Sequence, residues 1–328
     1  MPRGTSINRR QAVAVLAGAA LAVPGSAAAQ SAFPTKPIKI LVGFAPGGPS
    51  DLISRVVGAK MGEILKTQVV VENKTGAGGM IAAETVARSD PDGYTLLNTP
   101  LGNAVNETLS KTIRIHVGKD VIAVGPQAQT ANILVVHPSL GIKSVKEFIA
   151  YVKAQPAEVL YATAGRGSAT HLNSEFFNMQ AGTNMKPVHY KGGGETVKDL
   201  LSGQVKVMFS SIAPVQGFVK DGRLTGLATT GPERDPAFPD LPTVAETLPG
   251  FDVRLWMGLM APANTPPAIV KRLEDANRQA LEMPEVRKAL AAQGFAPLIG
   301  TAADFDKLYR AERDKWAKVI AASGMDKE

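Results

Sequence analysis

Glycine-rich turns are the segments of this chain whose residue types and spacing could do chemistry. They occupy residues 44–51, 75–79, 164–171 and 190–194, each between a predicted strand and a predicted helix. The start of a helix leaves backbone N–H groups unpaired, and the helix dipole there is worth roughly 0.3–1 kcal/mol to a nearby anion. Two such turns in each half of the chain predict a cleft that holds an anion between two lobes. This pattern indicates a binding protein for small carboxylates rather than an enzyme.

The glycines of the first two turns are the candidate ligand contacts. Gly47, Gly48, Gly78 and Gly79 are predicted to lie at helix N-termini. These lie beside the carboxyl ends of parallel strands, where α/β sheets bind ligands. The alternative is that they only allow the positive φ that tight turns need. Asp51 lies in the first helical turn, where its charge would repel a carboxylate, so we expect it to brace the loop or to hold a water.

Neither of these two turns contains Lys or Arg. We therefore expect backbone N–H groups, rather than a buried arginine, to hold the carboxylate. Gly78→Val should then abolish binding and leave the fold intact, provided that valine tolerates the φ of that residue. Lys191 and Arg166 are each either a ligand contact at the cleft or a solvated side chain. Lys191→Ala is expected to weaken binding less, because solvent screens a charge at the rim.

His171 and Glu175 are four residues apart on one predicted helix face, a spacing that could hold a metal ion. A third ligand is not evident, because the other histidines are isolated in the sequence: His116, His137 and His189. The pair is therefore interpreted as structural, and neither a metal nor a cofactor is predicted. Trp256 and Trp316 are interpreted as core residues.

The sequence lacks the motifs of common enzyme classes. It has no G-x-S-x-G elbow, no P-loop and no complete G-x-G-x-x-G, which argues against an exported hydrolase or a nucleotide-dependent enzyme. The absence of cysteine excludes disulfides, thiolate nucleophiles and cysteine-ligated metals. Basic residues are scattered rather than clustered with aromatics, so nucleic acid binding is not predicted.

Residues 1–29 are predicted to be an export signal outside the fold. A basic segment with three arginines precedes an apolar run at residues 12–23, and a signal peptidase site predicts cleavage between Ala29 and Gln30. The apolar run is shorter than the roughly 20 residues that span a membrane. Its Arg-Arg pair fits either a twin-arginine or an ordinary secretory signal. Cleavage would leave 299 of the 328 residues and reduce the formal net charge from +7 to +4.

Short apolar runs alternate with segments of helical periodicity in the remaining chain. Unbroken apolar strands between helices favour a parallel sheet covered on both faces, and hence an α/β fold. Strands are predicted at residues 38–42, 69–71, 94–97, 121–124, 133–136, 160–163, 185–188, 207–209, 254–260 and 295–298. Helices are predicted at residues 80–87, 145–154, 169–180, 195–201, 215–219, 269–281 and 285–293, and after Ser50 and Thr301.

Several motifs occur in the order typical of one known family. They are FAPGG with Asp51 at residues 44–51, NKTGAGG at 73–79, DPDGYTLL at 90–97, GSATHL at 167–172, YKG at 190–192, LLSGQV at 200–205 and FPDLPT at 238–243. Through this ordered set, the chain resembles the substrate-binding component of the tripartite tricarboxylate transporters, the Bug receptors. The resemblance covers nearly the whole chain after the predicted signal.

The resemblance implies an α/β, two-lobed periplasmic binding protein of type II, a Venus flytrap with two crossover connections. One lobe is expected at residues 30–127 with 256–328, and the other at residues 128–255. The family implies a monomeric periplasmic receptor that encloses a small carboxylate and delivers it to membrane permease subunits. A receptor for a signalling partner and an exported hydrolase are the alternatives. Di- and tricarboxylates, acidic amino acids and aromatic carboxylates all stay open as ligands.

The resemblance also implies which positions line the cleft. The turns at residues 44–51 and 77–79 hold one ligand carboxylate, partly through ordered waters, and residues 167–171 and 191–193 line the facing lobe. The implied ligand-binding residues are Phe44, Gly47, Gly48, Asp51, Ala77, Gly78, Gly79, Thr99, Gly167, Ser168, Thr170, His171, Lys191, Gly192 and Gly193.

Overall fold

The computed structural model describes residues 33–109, 115–165, 168–190 and 193–323. The predicted signal peptide and its cleavage site lie outside these residues, as do Arg166, Gly167, Lys191 and Gly192. The chain divides into two compact units. Of the first unit, Met1–Thr35, only residues 33–35 are described, without a helix or strand. The second unit, Lys36–Glu328, contains every helix and strand that is described.

One sheet of ten strands runs through the described part of the second unit. Its strands are β1 Ile38–Val42, β2 Val69–Asn73, β3 Thr95–Pro100, β4 Val121–Val136, β5 Leu160–Thr163, β6 Lys186–His189, β7 Val207–Ser211, β8 Thr225–Thr229, β9 Arg254–Pro262 and β10 Ala296–Pro297. They follow the order β2-β1-β3-β9-β4-β7-β5-β6, and β8 and β10 pair with β4.

The sheet is parallel at both ends and antiparallel in its centre. β1 pairs in parallel with β2 and β3, and β5 pairs in parallel with β6 and β7, as the apolar runs predict. In the centre, β9 lies antiparallel to β3 and β4, and β4 lies antiparallel to β7 and β8. The expectation of a parallel sheet is therefore wrong for the centre. The direction of β9 depends on a return of the chain from far along the sequence, which leaves no local pattern.

The two halves of the sheet meet on β4. This strand pairs with β9 as far as Ala131, and with β7 and β8 from Asn132 onwards. The sequence predicts two separate strands here, whereas β4 is continuous over 16 residues. Gly125 and Pro126 interrupt the apolar pattern, and both lie beside register shifts in the pairing with β9. Such bulges accommodate glycine and proline within a strand.

Ten helices are described, and most of them were predicted. They are α1 Pro49–Leu65, α2 Met80–Ala87, α3 Leu101–Leu109, α4 Val145–Ala154, α5 Ala169–Ala181, α6 Gly193–Leu201, α7 Ile212–Lys220, α8 Pro267–Glu282, α9 Pro284–Ala292 and α10 Ala302–Ser323. α3 and β8 were missed, because the glycine and asparagines of α3 and the glycine of β8 have low propensity for those structures. Within the described ranges, no helix is long and apolar enough to cross a membrane.

Aromatic side chains fill the core where α10 packs against α5. Trp316 is fully buried, with its ring centroid 5.9 Å from that of Phe176, which in turn lies 5.1 Å from Phe251. Trp256 is also buried and packs against Phe305 at a centroid distance of 5.6 Å. Both tryptophans are core residues, as predicted. The C-terminal helix therefore packs against the helix that follows β5 as well as against α3 and β4.

Candidate binding site

Three helices begin at the wall of one cavity of about 230 Å³. The residues at these helix starts that line the cavity are Pro49 and Ser50 of α1, Leu101 and Gly102 of α3, and Ala169 of α5 with its N-cap Ser168. Each helix follows a strand of the sheet: α1 follows β1, α3 follows β3, and α5 follows β5. The strand-to-helix order of the sequence therefore brings three helix N-termini to one place.

These helix starts give the cavity its electrostatic character. The first N–H groups of a helix have no partner inside that helix, and its dipole places partial positive charge at the same end. Pro49 lacks an N–H, so Ser50 and Asp51 carry the first free donors of α1, while Leu52 N–H already bonds to Gly48 O. α3 begins directly after β3 without an intervening loop. The arrangement suits an anion that is held by neutral donors.

Asp51 braces the turn before α1, as the sequence predicts. Its carboxylate is buried, accepts the Gly47 N–H at 2.9 Å, and is bonded by Arg55 Nε at 3.0 Å and by Asn73 Nδ2 at 3.0 Å. Asn73 Nδ2 also donates to Phe44 O at 3.0 Å. The hydrogen bond from Arg55 is the main cause that holds the pKa of Asp51 below its ordinary value. Asp51 is thus a charged brace whose neighbours compensate its charge.

The second glycine turn packs against α3 and Phe44. Residues Ala77–Gly79 form one turn of 3₁₀ helix, in which Gly78 has φ 62° and Gly79 has φ 92°. A Cβ on Gly78 would lie 2.4 Å from Asn106 Nδ2, and one on Gly79 would lie 3.0 Å from the Phe44 ring. The condition under which Gly78→Val was expected to leave the fold intact, a φ that valine tolerates, is therefore not met. Valine is strained at this positive φ and meets Asn106, so that variant would mix distortion of the turn with loss of ligand.

Three hydroxyl groups hold the turn before α5. Ser168 Oγ donates to Gly165 O at 2.6 Å and lies 2.9 Å from Thr170 Oγ1 and 3.0 Å from Thr163 Oγ1. Ser168 also caps α5 by accepting the His171 N–H. Thr170 Oγ1 accepts the Ala164 N–H at 2.9 Å. This network positions the first turn of α5 at the cavity wall.

His171 and Glu175 both lie on α5, where His171 is buried and Glu175 is half-buried. Their closest nitrogen and oxygen atoms are 4.0 Å apart, and Glu175 Oε1 accepts a hydrogen bond of 2.5 Å from the Tyr161 hydroxyl. Burial, together with this carboxylate, raises the pKa of the Tyr161 hydroxyl far above its ordinary value. The Tyr161 and His171 rings stack at a centroid distance of 6.3 Å. The described residues contain no group of three or more His, Asp or Glu side chains that could hold a metal ion. The pair thus has the structural partners expected of it.

Of the predicted site residues, Phe44 and Ser168 line the cavity. Gly48 and Thr99 directly precede lining residues, and Asp51 and Thr170 directly follow them. Thr99 is buried, and in the part of the chain that the structure describes its Oγ1 has no hydrogen-bond partner. Five other predicted residues do not form part of the described wall: Gly47, Ala77, Gly78, Gly79 and His171. Gly193 is the first residue of α6. Direct contact of any of these residues with a ligand stays a prediction.

Sequence reasoning missed most of the apolar residues that line the cavity. The wall also includes Pro100, Leu172 in the second half of the first turn of α5, and Leu255 and Met257 of β9. The start of α3 at Gly102 was missed because the predicted strand ended at Leu97, whereas β3 continues to Pro100 and α3 begins at the next residue. The β9 residues carry no such signal, since they reach the cavity only through antiparallel pairing with β3 and β4.

Comparison with known proteins identifies the family. The family model for the tripartite tricarboxylate transporter family receptor matches residues 53–325. The chain belongs to this family. Among its relatives, BugT of Bordetella pertussis is 36% identical over 325 residues, which cover 97% of this chain and 99% of BugT. The family inferred from the ordered motifs is therefore confirmed.

Solved structures agree with the fold of this receptor. The R. palustris protein Rpa4515 with adipate matches with a TM-score of 0.74 and 30% identity, covering 89% of this chain and 98% of that one. MatC from Rhodopseudomonas palustris with bound malate matches with a TM-score of 0.72 and 31% identity, covering 88% and 100%. The predicted α/β periplasmic binding protein fold with two lobes is confirmed. The exact lobe boundaries stay predictions.

Proposed function

We propose that this receptor captures a small carboxylate in the cavity where α1, α3 and α5 begin. The observation that carries the proposal is the meeting of three helix N-termini at one cavity wall. Two relatives of the same fold were solved with adipate and with malate, which are both carboxylates. Neither the fold nor the described residues favour the alternative of an exported hydrolase, and the family is one of receptors.

Backbone N–H groups hold the carboxylate in this proposal. A hydrogen bond to a charged group contributes about 1.5–3 kcal/mol, and each helix dipole adds roughly 0.3–1 kcal/mol. None of the described lining residues carries a charge. A carboxylate that replaces water at three helix starts therefore gains its stabilisation from neutral donors and dipoles. A Cβ at Gly102 would meet no described protein atom within 4 Å, so the main chain of α3 is open to a ligand on the cavity side.

Ligand binding closes the two lobes in this proposal. The cavity wall combines α1 and α3 of the first half of the sheet with α5 of the second half. A ligand that contacts both sides favours the closed arrangement over the open one. X-ray scattering is expected to show a smaller radius of gyration with ligand, and an unchanged radius would contradict closure.

The wider role follows from the family and from the first residues of the chain. We propose export through the signal at residues 1–29, action as a monomer in the periplasm, and delivery of ligand to the permease subunits of a tripartite transporter. No catalytic step is part of this role. N-terminal sequencing of the exported protein is expected to begin at Gln30. A receptor for a sensor would bind ligand equally well, and uptake measured in a strain that lacks the permease subunits separates the two roles.

Gly102→Leu tests the anion site directly. Leucine is a better helix former than glycine, and the space beside Gly102 is open. We therefore expect the variant to fold normally and to place its side chain in the cavity. Gly217→Leu is the matched control, because Gly217 also lies within a helix with open space beside it but is remote from the cavity wall. Ligand at 100 times its dissociation constant should stabilise the native state by about 2.7 kcal/mol.

The measurement is thermal unfolding of the mature chain with a panel of mono-, di- and tricarboxylates and their primary amides. We expect stabilisation by at least one acid and not by its amide, retained in Gly217→Leu and lost in Gly102→Leu. Equal stabilisation by acid and amide, or full binding by Gly102→Leu, would show that helix N-termini do not hold a carboxylate here.

A further inference from the structure

Away from the helix starts, the cavity wall is apolar. Phe44 comes from the turn after β1, Leu172 from α5, and Leu255 and Met257 from β9. Pro100 completes this surface at the end of β3. These five side chains, which we call the apolar wall, come from separate segments of the chain. This continuous apolar surface therefore forms only when the chain is folded.

The polar side chains of the described lining are already engaged. Ser50 Oγ donates to Met257 Sδ at 3.7 Å. Ser168 Oγ donates to Gly165 O at 2.6 Å and lies among the hydroxyls of Thr163 and Thr170. A hydroxyl has one proton to donate, and a carboxylate accepts hydrogen bonds only. Apart from backbone N–H groups at the helix starts, the described lining therefore offers a ligand no free charged or hydroxyl donor.

These observations limit the number of carboxylates that the cavity can hold. One carboxylate finds N–H groups at the helix starts, whereas a second one would meet, among the described lining residues, only the apolar wall. Burying an unpaired charge is strongly unfavourable, whereas an alkyl or aryl group in the same place gains from leaving water. The cavity volume of about 230 Å³ suits a small ligand body.

We infer that this receptor selects monocarboxylates with a compact apolar body, such as a phenyl or short alkyl group, over dicarboxylates of the same length. The inference rests on the proposed carboxylate site and adds its selectivity. The helix starts bind the acid group, and the apolar wall binds the body. Leu255 is the specificity-determining residue best suited to a test, because it lines the cavity and is only partly buried.

Isothermal titration of the mature chain tests this selectivity with two pairs in which a carboxylate replaces a methyl group: 4-methylbenzoate against terephthalate, and pentanoate against glutarate. We expect the monocarboxylate of at least one pair to bind ten-fold or more tightly than its dicarboxylate partner. Tighter binding of the dicarboxylates would overturn the inference and leave the proposed carboxylate site standing. Binding of no member of either pair, together with no stabilisation by any acid of the wider panel, would overturn both.

Leu255→Gln tests the apolar wall itself. We expect it to weaken binding of the preferred monocarboxylate at least ten-fold and to reduce the ratio between monocarboxylate and dicarboxylate. Leu255→Met should keep both near the original values, since it retains an apolar side chain of similar volume. Leu160→Gln is the matched control, because Leu160 is exposed and lies outside the cavity lining. Unchanged selectivity in Leu255→Gln, with its circular dichroism unchanged, would refute the role of the wall.

Discussion

Thr230 connects β4 to the residue before β9, at the point where β4 exchanges its pairing with β9 for pairing with β7 and β8. Its hydroxyl accepts the Asn132 N–H at 2.8 Å and donates to the Val253 carbonyl at 2.6 Å. Its backbone bonds the same two residues, through Thr230 N–H to Asn132 O at 2.8 Å and Val253 N–H to Thr230 O at 3.0 Å. Thr230 has no solvent exposure. We predict that Thr230→Val, which keeps the shape of the side chain, strongly destabilises the protein.

The magnitude follows from the two groups that valine leaves behind. Without the hydroxyl, the Asn132 N–H and the Val253 carbonyl each lose a partner in a buried setting. An unsatisfied buried polar group costs about 1–3 kcal/mol, so we expect a loss of roughly 2–4 kcal/mol in the free energy of unfolding. The backbone hydrogen bonds of Thr230 remain in the variant. We therefore expect the loss to stay below the sum of the two largest single-group costs.

Thr229 provides a matched control at the adjacent position. It is also fully buried, but its Oγ1 has no hydrogen-bond partner among the described residues. Thr229→Val removes a buried hydroxyl that bonds to nothing, so we expect stability to stay within about 1 kcal/mol or to rise. The two variants therefore make the same chemical change and differ only in the hydrogen bonds that are lost.

Equilibrium urea unfolding of the mature chain, followed by circular dichroism and tryptophan fluorescence, measures both variants. The prediction is a large loss for Thr230→Val and none for Thr229→Val. Equal losses for the two variants would refute the reasoning, because burial alone would then decide the cost. A loss below about 1 kcal/mol for Thr230→Val would show that the hydroxyl does not hold the two strands together.

Three further predictions concern the turn, the buried carboxylate and the C-terminal helix. Asp51→Asn should cost about 1–3 kcal/mol at pH 7, because an amide cannot replace the charged acceptor of Arg55. Since the folded pKa of Asp51 is lowered, its contribution is complete above the ordinary value of 3.8 and is lost as pH falls through the folded value. Urea unfolding from pH 7 to pH 3 should therefore show the two proteins converge, and a constant difference would contradict this. Tyr161→Phe should cost about 1–3 kcal/mol by removing the bond from the buried Tyr161 hydroxyl to half-buried Glu175, measured by the same unfolding, and a neutral result would show that the bond contributes nothing. Trp316→Ala should cost about 3–5 kcal/mol and weaken the near-ultraviolet circular dichroism of the core around Phe176, whereas an unchanged spectrum would contradict the packing.

Local patterns in the sequence were enough for several features of the site. Apolar runs followed by glycine-rich turns predicted where β1 and β5 end and where α1 and α5 begin, because these choices depend on neighbouring residues. The position of Asp51 in the first turn of α1 predicted its bracing role, since a carboxylate there is close to the N–H groups of its own turn. The order of motifs also predicted the family, through a resemblance that covers nearly the whole chain after the predicted signal.

Tertiary structure alone decided the wall of the cavity. Leu255 and Met257 reach it because β9 returns from far along the chain and pairs antiparallel with β3 and β4, and no local pattern records that pairing. α3 forms despite its glycine and asparagines, because it packs against α10. Gly78 was predicted to be a free approach to the ligand, whereas packing places Asn106 against it. The sequence thus determined which ends of helices are available to an anion, and the packing of distant segments determined what surrounds them, since side-chain contacts between distant segments arise only when the chain is folded.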